Sequence, residues 1–152
     1  MAYTTADARR QLLDTLAEAI TQIGLALSAL GEAYEQLDER KADELERELF
    51  APVQGAYGRA RRAYAEFARA HGLPPREFAP GAAPAPSLGV RGFVDAAVAA
   101  AAAADATLGT LQDSMLPVEV GDAELRAGLG EVRSRLAEVR GAARELVRTL
   151  GR

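Results

Sequence analysis

The chain has 152 residues, no cysteine and a net charge of −4. Its length fits one self-supporting domain, and the absence of cysteine excludes disulfides, thiolate metal ligands and a cysteine nucleophile. The acidic balance, with a pI near 5.1, argues against nucleic-acid binding, which requires a basic face.

The first predicted helix covers residues 5–38. Its large apolar residues recur at alternating steps of three and four: Leu13, Leu16, Ile20, Ile23, Leu27, Leu30, Tyr34 and Leu37. Small residues follow this stripe at a spacing of seven on either side, namely Ala17, Gly24 and Gly31 and then Ala19, Ala26 and Ala33. The pattern predicts an amphipathic helix that packs closely against its neighbours along both flanks.

The second predicted helix covers residues 42–71, after a turn within residues 38–42. The alternative is that the first helix continues through this region and breaks only at Pro52. Pro52 lies inside the second helix, where its ring and its missing N–H predict a kink. Gly72, which two prolines follow closely, predicts the end of this helix.

A linker over residues 72–90 separates the two halves of the chain. It contains five of the seven prolines: Pro74, Pro75, Pro80, Pro84 and Pro86. Extended chain of this kind advances about 3.1 Å per residue, or roughly 59 Å over the linker, whereas a 30-residue helix is about 45 Å long. The linker is therefore long enough either to join neighbouring helix ends or to cross the whole molecule.

The third predicted helix, residues 91–115, is rich in alanine. Its core stripe has alanine in the central layers: Val94, Ala97, Ala101, Ala104, Leu108, Leu111 and Met115. After Arg91 its only charges are Asp95, Asp105 and Asp113, so its outer face has little polar surface. We expect this thin helix to lie close to its neighbours and to offer an apolar face for self-association.

The last predicted helix covers residues 122–150, with Asp122 as its N-cap. It repeats the heptad stripe: Leu125, Leu129, Val132, Leu136, Val139, Ala143, Leu146 and Leu150. The segment before it, residues 112–122, is predicted to fold over one end of the molecule. Docking of a partner is the functional alternative for this segment.

Together these segments predict an all-α protein with a single domain over residues 1–152. The expected architecture is a four-helix bundle of long antiparallel helices with left-handed packing. We favour an up-down-up-down order, because the two short connections imply hairpins of adjacent helices. The alternative is a ferritin-like order, in which the linker crosses the length of the bundle.

No residue is predicted to be catalytic or to hold a cofactor or a metal. Di-metal bundles need Glu-x-x-His motifs on two helices, and His71 is the only histidine. We expect His71 to end the second helix, where the helix dipole favours a cationic ring. Tyr57, Tyr64 and Phe67 are expected in the core, with an apolar ligand pocket as the alternative. Because the serines also lack an assignable base, an enzyme is not expected.

Acidic residues concentrate around the first turn: Glu32, Glu35, Asp38, Glu39, Asp43, Glu44, Glu46 and Glu48. A second acidic group surrounds the turn near Asp122, whereas many arginines lie toward the termini and the linker. In the up-down-up-down order both acidic turns share one end, which would attract a basic partner or loosely bind divalent cations; the alternative is that these are ordinary solvated charges. In the crossover order the second turn moves to the basic end, and the field largely cancels.

The predicted function is a non-enzymatic interaction or scaffold protein that forms a homodimer through the third helix. A protein partner at the acidic turn end is a further expectation. The alternative is a protein that binds an apolar ligand, or a lipid or granule surface, through amphipathic helices. The start of the sequence lacks the order of a signal peptide, and no 18-residue stretch is free of charged and turn-forming residues. We therefore expect a cytoplasmic protein without stable membrane insertion.

Overall fold

The computed structural model describes residues 4–82 and 88–150. Helix accounts for 85% of the described residues and none of them lies in a strand, so the all-α prediction is confirmed. The α-helices are α1 (Thr5–Glu35), α2 (Glu39–Leu45), α3 (Ala51–Ala70), α4 (Gly89–Asp113), α5 (Leu116–Glu119) and α6 (Ala123–Leu150). Residues 83–87 of the predicted linker, which include Pro84 and Pro86, lie outside the described residues.

A π-helical segment, Glu46–Phe50, joins α2 to α3 without a break, so five helices pack together in the described part of the chain. The N–H of Ala51 donates to the carbonyl of Glu46, five residues earlier. Pro52 explains this wider turn, because in a regular α-helix its ring would clash with the carbonyl four residues before it. The kink predicted at Pro52 is thus realised as a π turn inside a continuous helix.

The first turn lies slightly earlier than predicted. α1 ends at Glu35, and α2 already begins at Glu39. The reason is Asp38, whose side chain accepts a hydrogen bond from the N–H of Lys41 and so caps α2. An aspartate in extended conformation before a helix satisfies N–H groups that would otherwise lack a partner, and so fixes the helix start.

The core is built from apolar and aromatic side chains, and no charged side chain among the described residues is buried, although the hydroxyl of Tyr57 lies in the core without a hydrogen-bond partner. The most extensive contact between two helices joins α1 to α4. Ala19, Ala26 and Ala33 on α1 are fully buried, and alanine on both helices allows their backbones to approach closely.

The flank of α1 that carries Gly24 and Gly31 is packed less evenly. A Cβ built on Gly24 would lie 3.3 Å from the Cα of Pro80, whereas one on Gly31 would meet nothing within 4 Å. Close packing at Gly31 is therefore a wrong prediction.

Hydrogen bonds between distant residues define the helix directions. The side chain of Arg9 donates to the carbonyl of Val120 at 3.1 Å, and the hydroxyl of Thr107 donates to Gln22 at 2.9 Å. The start of α1 therefore lies beside the end of α4, and these helices are antiparallel. His71 at the end of α3 contacts the start of α6, so α3 and α4 both end at this end of the molecule and run in the same direction.

The linker makes this parallel arrangement possible. Its Phe78 ring packs edge-on against Tyr64, with ring centroids 5.3 Å apart. Further along, the carbonyl of Gly81 accepts a hydrogen bond from Ser28. The linker therefore runs back along α1 and α3 toward the opposite end. The up-down-up-down order is wrong, since the connection is the crossover that the linker length also allowed.

Asp122 fixes the junction between α3 and α6. It accepts a hydrogen bond from the N–H of Leu125 at 2.8 Å, and its other oxygen lies 3.1 Å from Nε2 of His71. Asp122 is therefore the N-cap of α6, as predicted. Burial alone raises the pKa of Asp122, but the hydrogen bonds from Leu125 and His71, together with nearby positive charge, lower it below its ordinary value of 3.8.

The Asp122→Ala variant is expected to lose about 1–2 kcal/mol of unfolding free energy at neutral pH, because the helix loses its cap. A carboxylate with a lowered pKa stabilises the fold above its ordinary pKa, and this contribution is lost as the pH falls through the folded-state value. The difference in unfolding free energy between wild type and variant should therefore decrease only at acidic pH. Urea unfolding of both proteins from pH 7 down to the acid limit of the folded state measures it. An equal difference in unfolding free energy at every pH would contradict the lowered pKa of Asp122.

Candidate functional site

The described residues contain no group of three His, Asp or Glu side chains that could hold a metal ion. His71 lies half-buried at the end of α3, as predicted, with its ring 4.4 Å from that of Phe67 and its Nε2 on Asp122. Tyr57, Tyr64 and Phe67 are all buried in the core, as expected. His71 thus has a structural role at a helix junction.

The outward face of α4 is apolar and uncovered. Ala99, Ala103 and Ala106 are exposed, and no charged residue lies between Asp95 and Asp105. An 18-residue window of this helix has a mean hydropathy of 1.3, yet only 33% of it is buried. The comparable window of α1 has a mean hydropathy of 1.2 and is 61% buried. Both helices are long and apolar enough to cross a membrane, a condition that core helices of soluble proteins also meet. What distinguishes α4 is that alanines, rather than polar side chains, form the middle of its outward face, while its largest apolar residues are buried.

A shallow groove of about 250 Å³ follows this face where α4 meets α6. Its lining combines apolar residues, including Val98, Ala102 and Leu136, with the charged residues Asp105 and Arg140. The groove therefore joins the alanine-rich surface of α4 to charged groups at the contact with α6.

Arg133 forms an ion pair with Asp105, one of the residues that line this groove. Its guanidinium donates to Asp105 at 2.8 Å and to Gln112 at 2.7 Å, so it ties α6 to α4. The hydrogen bond and the charge of Asp105 raise the pKa of Arg133 further above its already high usual range. Because Asp105 is paired in this way, it adds no free charge to the outward face of α4.

A second surface feature lies at the end of the molecule where α1 ends, beside the π segment. It is a pocket of about 280 Å³ between the last turns of α1 and the π segment, lined by Gly31, Tyr34, Glu35, Glu46 and Phe50. A Cβ built on Gly31 would meet no other atom within 4 Å. Tyr34 is 38% exposed, although the heptad stripe predicts a seam position for it.

The charges around this pocket are mostly negative and weakly compensated. The last turn of α1 contains no basic residue, although the negative end of the helix dipole favours cations there. A more open groove beside the pocket is lined by Asp38, Glu39, Arg40, Asp43, Glu44 and Arg47. Among the described residues, the pair Arg47–Glu48 at 3.4 Å is the one ion pair that residues 32–50 form.

The second acidic turn lies at the other end of the molecule, because α3 and α4 are parallel. There Asp122 is paired with His71, and the preceding segment folds over the core as predicted: Pro117 is buried, while Leu116 and Val120 pack against the core. The two acidic turns therefore do not share one end, and the strong end-to-end polarity of the up-down-up-down order is absent.

Comparison with models of known protein families, with curated proteins and with solved structures found no match. The outward face of α4 and the pocket beside the π segment are therefore the observations that bear on function. The high alanine content of the third predicted helix already indicated the apolar outward face of α4. The pocket had no such signal, because Gly31 has the same heptad position as the closely packed Gly24.

Proposed function

We propose that the protein is a non-enzymatic interaction module, a four-helix bundle with a crossover connection that self-associates through the outward face of α4. The helix contacts support the bundle: α1 touches α3 and α4, and α6 touches the same two helices. These contacts close a ring around one largely apolar core, in which no charged side chain of the described residues is buried. The single observation that carries the proposal is that the apolar window of α4 is only one-third buried.

Charge complementarity favours a second copy of the chain as the occupant of this face. Arg91 in the first turns of α4 and Asp113 in its last turn are exposed and about six helical turns apart, so they lie toward the same flank, as does the exposed Asp95 one turn after Arg91. In an antiparallel pair of α4 helices centred near Ala102, Arg91 of each copy lies opposite Asp113 of the other. Such a two-fold contact is self-complementary and closed, and the alanines between the charges let the two backbones approach closely.

The contact is expected to be weak. A helix of 25 residues is about 37 Å long, and a strip about 10 Å wide along it covers roughly 370 Å² on each copy. Stable interfaces bury about 800 Å² per partner. We therefore expect a dimer that forms at high micromolar concentration and dissociates on dilution.

Sedimentation velocity across a concentration series tests the dimer. We expect Ala99→Glu combined with Ala103→Glu to be monomeric at every concentration, because four carboxylates would then face one another across the contact. Ala65→Glu is the matched control, since Ala65 is an exposed alanine on α3, and it should dimerise like the wild type.

Charge reversal tests the antiparallel geometry. Arg91→Asp and Asp113→Arg should each weaken the dimer, and the double variant should restore it, because the pair is rebuilt with opposite polarity. A wild-type protein that stays monomeric at high micromolar concentration overturns the proposal.

Binding to an apolar ligand, or to a lipid or granule surface, is the second candidate function, and the hydropathy of α4 favours it. Helices that lie on membranes have a polar face rich in Lys and Arg, whereas α4 carries Arg91 as its one basic residue. Self-association in the cytoplasm therefore remains the first proposal. A monomeric protein that co-sediments with phosphatidylcholine vesicles, and loses this binding in the Ala99→Glu and Ala103→Glu double variant, would replace it.

A further inference from the structure

We infer that the pocket between α1 and the π segment binds an arginine side chain of a basic segment in a partner protein. This surface is separate from the outward face of α4, so the inference does not depend on whether the protein forms a dimer. It rests on the shape, the lining and the charge of the pocket.

The shape of the pocket fits one long side chain. Its volume of about 280 Å³ lies just below the range of about 300–1,000 Å³ that is typical for whole ligands and cofactors. Gly31 lines the pocket and a Cβ on it would meet nothing within 4 Å, so we expect a larger side chain at this position to take up part of the pocket. Pro52 contributes indirectly, since it imposes the π turn whose first and last residues, Glu46 and Phe50, line the pocket.

The lining suits a guanidinium better than other groups. Tyr34 and Phe50 supply aromatic rings, on whose faces a flat cation can stack. Glu35 and Glu46 are exposed residues of the lining, and their carboxylates can accept paired hydrogen bonds from a guanidinium at the mouth of the pocket. None of the five lining residues is basic, so the pocket has no cation of its own. A lysine would satisfy the charge, but it offers neither the planar stacking surface nor the paired donors.

The surroundings favour further basic residues on either side of that arginine. The last turn of α1 is acidic at the negative end of the helix dipole, which is an unfavourable local arrangement unless a cation approaches. The neighbouring groove adds four carboxylates and two arginines. A basic partner segment would relieve this repulsion on binding, and it would be attracted from a distance at low ionic strength.

The test is titration of the full chain with fluorescein-labelled tetra-arginine and tetra-lysine peptides, followed by fluorescence anisotropy at low salt. Tetra-arginine should bind more tightly than tetra-lysine. Gly31→Leu should weaken arginine binding about tenfold, because it fills the pocket without changing the charge. Glu35→Gln combined with Glu46→Gln should weaken it by a similar factor, as expected when charge-assisted contacts are removed.

Glu48→Gln is the matched control, since Glu48 is an exposed acid of the π segment that does not line the pocket, and its affinity should stay within about twofold of the wild type. Gly31→Leu lies inside a helix, where leucine is favoured over glycine, and unchanged circular dichroism melting would verify its fold. Equal binding of both peptides, or unchanged binding by Gly31→Leu, would show non-specific charge attraction and overturn the inference. So would self-association that Gly31→Leu abolishes, or Ca²⁺ binding at this site, because the occupant would then be a second copy or a metal ion.

Discussion

Replacing Gly121 by alanine is expected to destabilise the protein by about 3 kcal/mol, near the upper end of the usual cost of overpacking. A Cβ at this position would lie 3.0 Å from the Cα and the carbonyl carbon of Pro117, and closer still to the carbonyl oxygen. These are backbone atoms of α5, and Pro117 is itself buried. The clash cannot be relieved by rotating a side chain, so the segment that covers this end of the core must move.

The same substitution elsewhere in the neighbouring helix should have the opposite sign. Gly130 and Gly141 lie inside α6, and a Cβ at either position would meet nothing within 4 Å. Alanine there should stabilise the protein by about 0.5–1 kcal/mol, because glycine is a poor helix former. Urea unfolding of the three variants at one pH measures all three effects. If Gly121→Ala unfolds at the same urea concentration as Gly130→Ala, the tight contact with Pro117 does not exist in solution.

Most of the helical structure was predictable because it depends on local pattern. The last helix is an example: a heptad stripe follows Asp122, and the side chain of Asp122 does cap α6 through the N–H of Leu125. Boundaries without such a marker were less accurate. The predicted end of the first helix was too late, since Leu37 continues the apolar stripe while Asp38 already caps the next helix.

The order of the helices was not predictable from local pattern. A linker of this length can either join neighbouring helix ends or cross the molecule. Tertiary contacts determine which connection forms, such as those of Phe78 with Tyr64 and of Gly81 with Ser28. The extensive contact between α1 and α4 also favours this order, because buried alanines on both helices allow close approach. Contacts between residues far apart in sequence leave no periodic trace in either segment.

The pocket beside the π segment was hidden for a related reason. Gly24 and Gly31 occupy equivalent positions in the heptad pattern of α1, but the crossing linker approaches only Gly24. Tyr34 continues the apolar stripe, yet α1 ends one residue later at Glu35, and Tyr34 stays partly exposed. A sequence pattern identifies the face of a helix but does not show which part of that face a neighbour covers.

Replacing Ala104 by leucine is expected to destabilise the protein by about 2–3 kcal/mol, because the extra side chain overpacks the core. Ala104 is 0% exposed and lies on the inward face of α4, the helix that makes the closest contact with α1. Leucine has nearly the same helix propensity as alanine, so the loss reports packing alone. If alanine at this position were merely a result of biased composition, the larger side chain would be accommodated at little cost.

Ala103→Leu is the matched comparison, because Ala103 is the preceding residue of the same helix and is exposed. Its unfolding free energy should stay within about 0.5 kcal/mol of the wild type, provided that unfolding is measured at low micromolar concentration, where the proposed dimer is dissociated. The difference between the two variants separates the two roles of alanine in α4: small size permits close packing on the inner face, while the outer face remains free to contact a second copy. If both variants lost the same unfolding free energy, the outer face of α4 would be covered within the monomer. That result would contradict the proposed self-association, because no free surface would remain for a second copy.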